Sequence, residues 1–234
     1  MNGDMTAFSG TPGVEAVNTR LLLRAPLGPM DPRQKRKRRS IVRIKTAARE
    51  LFLKYGYERT TLRAIARKAR VSAAAIVNYF GDKEQLLGLL FNEEHRSVTA
   101  RVKSELSETK TKGFLEQSID GFRHYYRYFA AHPEYARAIL RLGAFYDPMA
   151  PDSSPGGQAV ARSIARIKQT IEIARKRGEI TTEESDDALA LLTFEIYQIE
   201  CRRWLAANTP EVERGLAQLQ HSLSILQRGF RPRE

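Results

Sequence analysis

The sequence predicts an all-α protein in which a three-helix N-terminal domain, containing a helix-turn-helix, precedes a larger helical domain. Three observations lead to this prediction. Apolar residues recur at three- and four-residue spacing from Ser40 almost to the C-terminus, which is the period of amphipathic helices. Gly, Pro, Ser and Thr at the interruptions of this pattern are typical helix stop and start signals. No segment alternates apolar and polar residues as a half-buried strand does.

The N-terminal elements are short and closely spaced. An apolar stripe predicts a first helix that begins at Ser40 and stops at Gly56, because glycine is a common residue just after a helix. Thr60 or Thr61 is a suitable N-cap for a second helix over 61–68, and Ser72 for a third over 72–80. The later helices are expected at 83–108, 112–131, 133–143, 157–177, 183–207 and 211–229.

The charge of the chain is strongly asymmetric. The net charge is +12, and residues 1–39 contain eight basic and three acidic residues, residues 40–83 ten and three, and residues 84–234 twenty-one of each. A basic module joined to a neutral body is typical of proteins that bind polyanions; on charge alone, nucleic acid and an anionic membrane surface both remain open. We divide the chain into a disordered basic arm (1–39), a helix-turn-helix domain (40–83) and a helical body (84–234).

The arm ends in the basic run RQKRKRR at 33–39. Such a run is either a solvated tail or an arm that follows DNA phosphates. Its position directly before the helix-turn-helix favours the second interpretation.

Composition and motifs exclude several classes of protein. No apolar run approaches the length of a membrane span, and the single cysteine, Cys201, fits a reducing cytoplasm. We find no phosphate-binding glycine loop, no Cys/His metal cluster and no nucleophile motif. The sequence therefore predicts a cytoplasmic protein that is not an enzyme, has no catalytic residues, and uses no cofactor, metal or membrane.

The stretch from Tyr57 to Leu87 carries the features of a DNA-reading motif. A helix, a tight turn at 69–71 and a second short helix of small residues would let the backbone approach a major groove. Asn78 and Tyr79 can donate hydrogen bonds to bases or phosphates, and Lys83 adds a cation to a helix start. The alternative for Tyr79 and Phe80 is that both belong to the core.

Residues 41–87 resemble the DNA-binding domain of the tetracycline-repressor (TetR/AcrR) family. The resemblance rests on Ala47-Ala48, Leu51-Phe52, Gly56-Tyr57, Thr60-Thr61, Ile65-Ala66, Ala69, Val71-Ser72, Tyr79-Phe80 and the run from Lys83 to Leu87. It implies a ligand-responsive repressor that binds a palindromic double-stranded DNA operator as a homodimer and is released by a small-molecule effector. A transcriptional activator or a non-specific architectural DNA-binding protein is the alternative.

The sequence departs from the family pattern in three places, which involve four residues. Arg70 replaces the usual glycine of the turn, Ala74-Ala75 replace a common Gly-Thr, and Val77 replaces a frequent aromatic residue. We therefore carry over no polar contact at 75 or 77. The predicted DNA-binding residues are Thr60, Thr61, Arg63, Arg70, Ser72, Ala73, Asn78, Tyr79 and Lys83.

The resemblance also assigns effector binding and dimerisation to the body. The aromatic segment around 122–129 is expected to line an effector pocket, with ordinary core packing as the alternative. The predicted pocket residues are Phe122, His124, Tyr125, Tyr126, Phe129, Phe194 and Tyr197. The last two helices are expected to pair across a two-fold axis, unless their apolar stripes form an intramolecular core. The predicted interface residues are Leu189, Leu192, Ile196, Ile199, Leu216, Leu219, Leu223 and Leu226.

Overall fold

The computed structural model describes residues 31–106, 112–142 and 155–229, and all regular structure within them is helical. The helices are α1 (Pro32–Tyr55), α2 (Leu62–Ala69), α3 (Ala73–Phe80), α4 (Lys83–Leu106), α5 (Phe114–Ala131), α6 (Pro133–Leu142), α7 (Pro155–Lys176), α8 (Asp186–Leu205) and α9 (Val212–Gly229). The predicted all-α class is confirmed. No helix in the described ranges combines the length and the apolarity that crossing a bilayer requires.

The first helix begins at Pro32, eight residues before the predicted start. The Asp31 carboxylate accepts a hydrogen bond from the Arg33 N–H at 3.3 Å, and Pro32 occupies the first turn, where its missing N–H is not needed. The basic run at 33–39 is therefore an exposed stretch of helix, and the prediction of a disordered arm is wrong for residues 32–39. The rest of that arm, residues 1–30, lies outside the described residues.

The N-terminal core is built mainly from α1, α2 and α3. Phe52, Ile65 and Ile76 are completely buried in it. The same core includes leucines from the first two turns of α4 and, from α6, Tyr135 and Ile139. The predicted domain boundary at residue 83 thus marks the start of a helix but does not mark the edge of a core.

The body packs α5 against α7 and α9, and α8 against the same two helices. Its core is rich in aromatic rings, among them Tyr126 and Trp204, whose centroids lie 4.5 Å apart. Helix α9 crosses them at Gly215, where a Cβ atom would lie 2.5 Å from the Tyr126 ring. The glycine allows α9 to lie in close contact with the Tyr126 and Trp204 rings.

Candidate nucleic-acid interface and ligand cavity

The turn between α2 and α3 is set by two side-chain caps and one left-handed residue. Thr61 Oγ1 accepts the Ala64 N–H and Ser72 Oγ accepts the Ala75 N–H, each at 3.1 Å. Arg70 ends α2 with φ 53° and ψ 51°, and its N–H is directed to the Ala66 and Arg67 carbonyls. A residue with a side chain is strained in this conformation, so the turn fixes the angle between the two helices at an energetic cost.

Helix α3 has one buried side and one open side. Ile76 and Phe80 enter the N-terminal core, which confirms the core interpretation for Phe80. The open side contains Ser72, Ala74, Val77 and Asn78, which are exposed, and Ala73, Ala75 and Tyr79, which are partly exposed. Most side chains of this surface are small, and none of those named carries a charge.

Cations from α1, from α2 and from the turn accompany α3. Arg63 and Arg70, both exposed, come from α2 and the turn. The Lys37 ammonium of the helical basic run lies 5.9 Å from the centroid of the Tyr79 ring. The early start of α1 therefore places an exposed cation, Lys37, beside α3.

Two predicted DNA contacts are engaged within the protein. Thr60 is 2% exposed, and its hydroxyl donates to the Gly56 carbonyl at 2.7 Å, so the prediction that it contacts DNA is wrong. Its hydroxyl is needed to satisfy the carbonyl that α1 leaves open at its C-terminal end. The half-buried Lys83 ammonium donates to the Tyr57 carbonyl at 3.0 Å. The same ammonium lies 4.1 Å from the centroid of the Tyr57 ring. These contacts attach the start of α4 to Tyr57. The predicted contact of Lys83 with a phosphate stays a prediction.

A cavity of about 40 Å³ lies inside the body, between α4, α5, α6, α7 and α8. Most of its wall is apolar and is formed by Phe91, Phe129, Ile139, Leu140, Leu142, Gly156, Ala159, Val160 and Phe194. The polar atoms of the wall belong to His95, Tyr125, Ser163, Tyr197 and Gln198. In this conformation the cavity has room for a few waters, whereas drug-sized ligands occupy several hundred Å³.

The polar end of the cavity is a connected hydrogen-bond cluster. His95 Nε2 lies 2.8 Å from Ser163 Oγ and 3.0 Å from the Tyr125 hydroxyl, and Thr99 Oγ1 lies 3.1 Å from that hydroxyl. Burial, together with the guanidinium groups of Arg162 and Arg166, lowers the pKa of His95 to about 3. The imidazole is therefore neutral at physiological pH, and its two nitrogens take one donor and one acceptor role.

Comparison with known proteins places residues 44–90 in one family: they match the family described as bacterial regulatory proteins, tetR family. Over 59 residues the chain is 46% identical to the HTH-type transcriptional regulator HbdR of Aromatoleum sp. (strain CIB). That match spans a quarter of this chain and a quarter of HbdR. Residues 44–90 therefore form a domain of the tetR family of bacterial regulatory proteins.

Solved structures of TetR-family proteins share the fold over most of this chain. Thermus thermophilus FadR, a repressor in complex with lauroyl-CoA, superposes with a TM-score of 0.67 at 22% identity, covering 82% of this chain and 96% of FadR. RolR in complex with resorcinol gives 0.63 at 20% identity, covering 86% and 98%. At this identity the likeness concerns the fold alone.

The cavity contains four of the seven predicted pocket residues: Tyr125, Phe129, Phe194 and Tyr197. The other three do not line it, and their assignment is corrected. Phe122 stacks on Tyr197 at 4.3 Å between centroids, and Tyr126 packs on Trp204. His124 lies one residue before the cavity-lining Tyr125 on α5 and is half-buried outside the wall.

Sequence reasoning missed His95 and Ser163. The signal for His95 was a polar residue on an apolar helix face, since Phe91, His95 and Val98 follow the spacing of one α4 stripe. Ser163 had no comparable signal, because it meets His95 only through the packing of α7 against α4.

The predicted dimer residues fall on two opposite faces of α8 and α9. Four are buried within the single chain, at 3% exposure or less, and cannot reach a partner: Leu189, Leu216, Leu219 and Leu223. These leucines pack inward, so their assignment to an interface is wrong. The other four remain accessible: Leu192 and Ile199 are exposed, and Ile196 and Leu226 are partly exposed. Ile225, exposed to 52%, adds to this outer face and was not predicted.

Ion pairs between α1 and α4 join the N-terminal module to the body. Lys45 pairs with Glu93, and Arg49 Nε donates to Glu94 at 2.7 Å. Glu94 also accepts the hydroxyls of Tyr128 on α5 and Tyr135 on α6. One carboxylate thus connects the DNA-binding module to two helices that surround the cavity.

Proposed function

We propose that this protein is a one-component repressor that binds a palindromic DNA operator as a homodimer and leaves it when a small molecule occupies the cavity. The open side of α3 supports this proposal most strongly, because it is a surface of small residues with the Lys37 ammonium 5.9 Å from the Tyr79 ring and with exposed Arg63 and Arg70 on α2 and the adjoining turn. Most surface helices carry charged residues on their open side, whereas this one exposes Ala74, Val77 and Asn78.

The chemistry of that surface suits the major groove. Alanine and valine allow close approach and contact thymine methyl groups, and an asparagine side chain can form two hydrogen bonds to adenine. Exposed Thr61 and Arg63 lie at the N-terminal end of α2, where backbone N–H groups and the helix dipole favour a phosphate. The cations of α1 beside Tyr79 would contact the phosphates at the edge of the half-site.

Dimerisation is supported by the outer face of α8 and α9. Exposed Leu192, Ile199 and Ile225, with partly exposed Ile196 and Leu226, form an apolar surface on adjacent helices. A surface of this kind usually marks a protein contact. Two copies joined there would present two α3 helices, as a palindromic operator with half-sites one helical turn apart requires.

Release by an effector is supported by walls that the cavity shares with the N-terminal core. Ile139 lines the cavity and is buried in that core, and Phe91 packs against both cores. A ligand larger than the present cavity must displace these side chains, and the displacement reaches α1 and α4 directly. The ligand would then favour a spacing of the α3 helices that fits the operator poorly. Related folds are known with lauroyl-CoA in FadR and resorcinol in RolR, which supports a small-molecule effector for this chain.

Selection of bound DNA from a random pool tests the proposal. We expect enrichment of one palindrome by the full-length protein, and weak or altered enrichment by an Asn78→Asp variant, because a carboxylate on α3 repels the phosphates. Lys168→Gln, a change at a partly exposed lysine of α7 that pairs with Asp187, serves as the control and should select the same palindrome. Retention of DNA without any enriched sequence would instead indicate an architectural protein.

A further inference from the structure

Two arginines on α7, Arg162 and Arg166, carry positive charge beside the cavity without a carboxylate partner among the described residues. The Nε and Nη2 atoms of Arg166 are shut off from solvent and have no hydrogen-bond partner there. Arg162 donates to the Asn92 side chain, but its Nε is also buried without a partner. Buried guanidinium groups in proteins are normally paired, because an unpaired buried charge is strongly destabilising.

The surroundings of Arg166 compensate its charge only in part. The guanidinium carbon lies 5.5 Å from the centroid of the Phe122 ring, a cation–π contact that satisfies no N–H group. Burial lowers the pKa of Arg166, and the neighbours that act in the opposite direction are the tyrosines Tyr125 and Tyr197. Both tyrosines line the cavity.

The packing of α5 makes room for this guanidinium. A Cβ atom at Gly121 would lie 2.5 Å from Arg166 Nη1, so a larger residue there would push the guanidinium aside. Glycine in the middle of a helix is unfavourable on its own account. The chain thus combines two unfavourable features, an interior glycine and an unpaired buried cation, at the same place next to the cavity.

Arg166 also lies one turn beyond Ser163, the α7 residue that joins the polar cluster of the cavity. Helix α7 therefore presents a hydroxyl to the cavity and a guanidinium directly behind it. Most of the remaining cavity wall is apolar and includes Phe91, Phe129 and Val160.

We propose that the effector is a carboxylate with an apolar body, whose acid group is bound by Arg166 together with His95, Ser163 and Tyr125. This inference rests on the proposed function, in which the cavity is the effector site. The planar guanidinium presents two parallel N–H groups to a carboxylate, and the hydroxyls of Ser163 and Tyr125 can donate to it. Neutral His95 does not compete with the arginine for the acid. The apolar body would extend toward Phe91 and Ile139, the side chains shared with the N-terminal core.

Binding of matched acids and amides to the DNA-free protein tests this inference. The probes are straight-chain alkanoic acids and arylalkanoic acids, each beside the primary amide of the same skeleton, titrated by calorimetry. We expect at least one acid to bind. Its amide should bind at least about thirtyfold more weakly, because the amide leaves the buried guanidinium unpaired. Equal binding of acid and amide, or no binding by any acid of the panel, would overturn the inference.

Variants on α7 assign the effect to Arg166. Arg166→Met should abolish the preference for acids, and it should raise the melting temperature of the ligand-free protein by about 3 °C because it removes an unpaired buried charge. Arg166→Lys keeps the charge without the planar pair of donors and should bind acids at intermediate strength. Lys168→Gln removes a charge from a partly exposed site on the same helix, where the lysine pairs with Asp187, and should bind acids like the parent. An acid that binds Arg166→Met as tightly as the parent would refute the assignment.

Failure of the acid-binding site and failure of the repressor proposal give different results. If the protein selects a palindrome and an uncharged molecule releases it with the acid-binding test negative, the inference fails and the repressor proposal stands. If acids bind through Arg166 but no DNA sequence is enriched, the repressor proposal fails and the acid site stands.

Discussion

Arg49 Nε lies 2.7 Å from Glu94 Oε1, and this ion pair joins α1, which supports the DNA-binding module, to α4, which runs into the body. Glu94 is 14% exposed at its side chain, and it also accepts the hydroxyls of Tyr128 and Tyr135. Tyr128 precedes the cavity residue Phe129, and Tyr135 belongs to the N-terminal core. A change in the cavity is therefore expected to reach the DNA-binding module through this carboxylate.

The Glu94→Gln variant tests that route. We expect the free energy of unfolding to fall by about 1–3 kcal/mol, because charge-assisted hydrogen bonds in a half-buried site are lost. Operator affinity without effector should stay close to that of the parent, whereas the factor by which the effector weakens DNA binding should shrink. Glu58→Gln breaks the exposed pair with Arg141 between the same modules, and should change stability by less than about 1 kcal/mol. An unaltered effector response in Glu94→Gln, measured by fluorescence anisotropy of labelled operator, would rule this route out.

Arg70 offers a test in which stability and DNA binding change in opposite directions. Its φ of 53° is unfavourable for a residue with a Cβ atom, so Arg70→Gly should stabilise the protein by about 1 kcal/mol in chemical denaturation. If the guanidinium contacts a phosphate, the same variant binds DNA more weakly, and the slope of log K against log salt falls by about 0.9. Arg70→Ala is the matched control, because it loses the phosphate contact and keeps the strained backbone. Equal salt slopes for the parent and both variants would remove Arg70 from the interface.

His95 predicts a stability change with pH. Its pKa is lowered to about 3 in the folded protein by burial, so between pH 6.5 and pH 3 the unfolded chain binds a proton that the folded chain does not. Folding stability should therefore decrease as pH falls through this window, with a His95 contribution of up to about 1.4 kcal/mol per pH unit. Comparison of the parent with His95→Gln at pH 7 and pH 5 isolates it, since the variant lacks that contribution. His221→Gln, an exposed change on α9, is expected to behave like the parent. A pH dependence shared by the parent and His95→Gln would show that another group is responsible.

The outer face of α8 and α9 predicts the oligomeric state. Leu192→Glu should convert the dimer to a monomer in analytical ultracentrifugation and weaken operator binding, while the helical circular dichroism signal is retained. Ile173 on α7 has nearly the same exposure, 44% against 45% for Leu192, so Ile173→Glu is the matched control and should leave the dimer intact. A Leu192→Glu protein that sediments as a dimer would place the interface elsewhere.

Local signals in the sequence were sufficient for the helix-turn-helix. Thr61 and Ser72 accept hydrogen bonds from backbone N–H groups three residues later in the chain. Arg70 adopts the left-handed conformation that glycine favours, at the position where the tight turn was predicted. These features depend on neighbours in the chain and can be predicted from it. The start of α1 was also encoded locally, by Asp31 and Pro32, but residues 32–39 have no apolar period to indicate a helix.

Features that depend on packing could not be predicted in the same way. Helices α8 and α9 are apolar on two faces, and the sequence does not say which face turns inward, so Leu219 was assigned to the interface although it is buried. The contact between His95 and Ser163 joins residues 68 positions apart. This contact is determined by the packing of α4 on α7, and no local sequence pattern predicts that packing.

Asn78 is the residue through which base reading by the open side of α3 can be measured. The measurement is the binding of the parent and of Asn78→Ala to the selected operator and to variants in which each base pair is replaced in turn. We predict that Asn78→Ala loses discrimination of about 1–3 kcal/mol at one position in each half-site and keeps it at the others. Equal discrimination at every position by the parent and by Asn78→Ala, or a uniform loss over all sequences, would contradict the account.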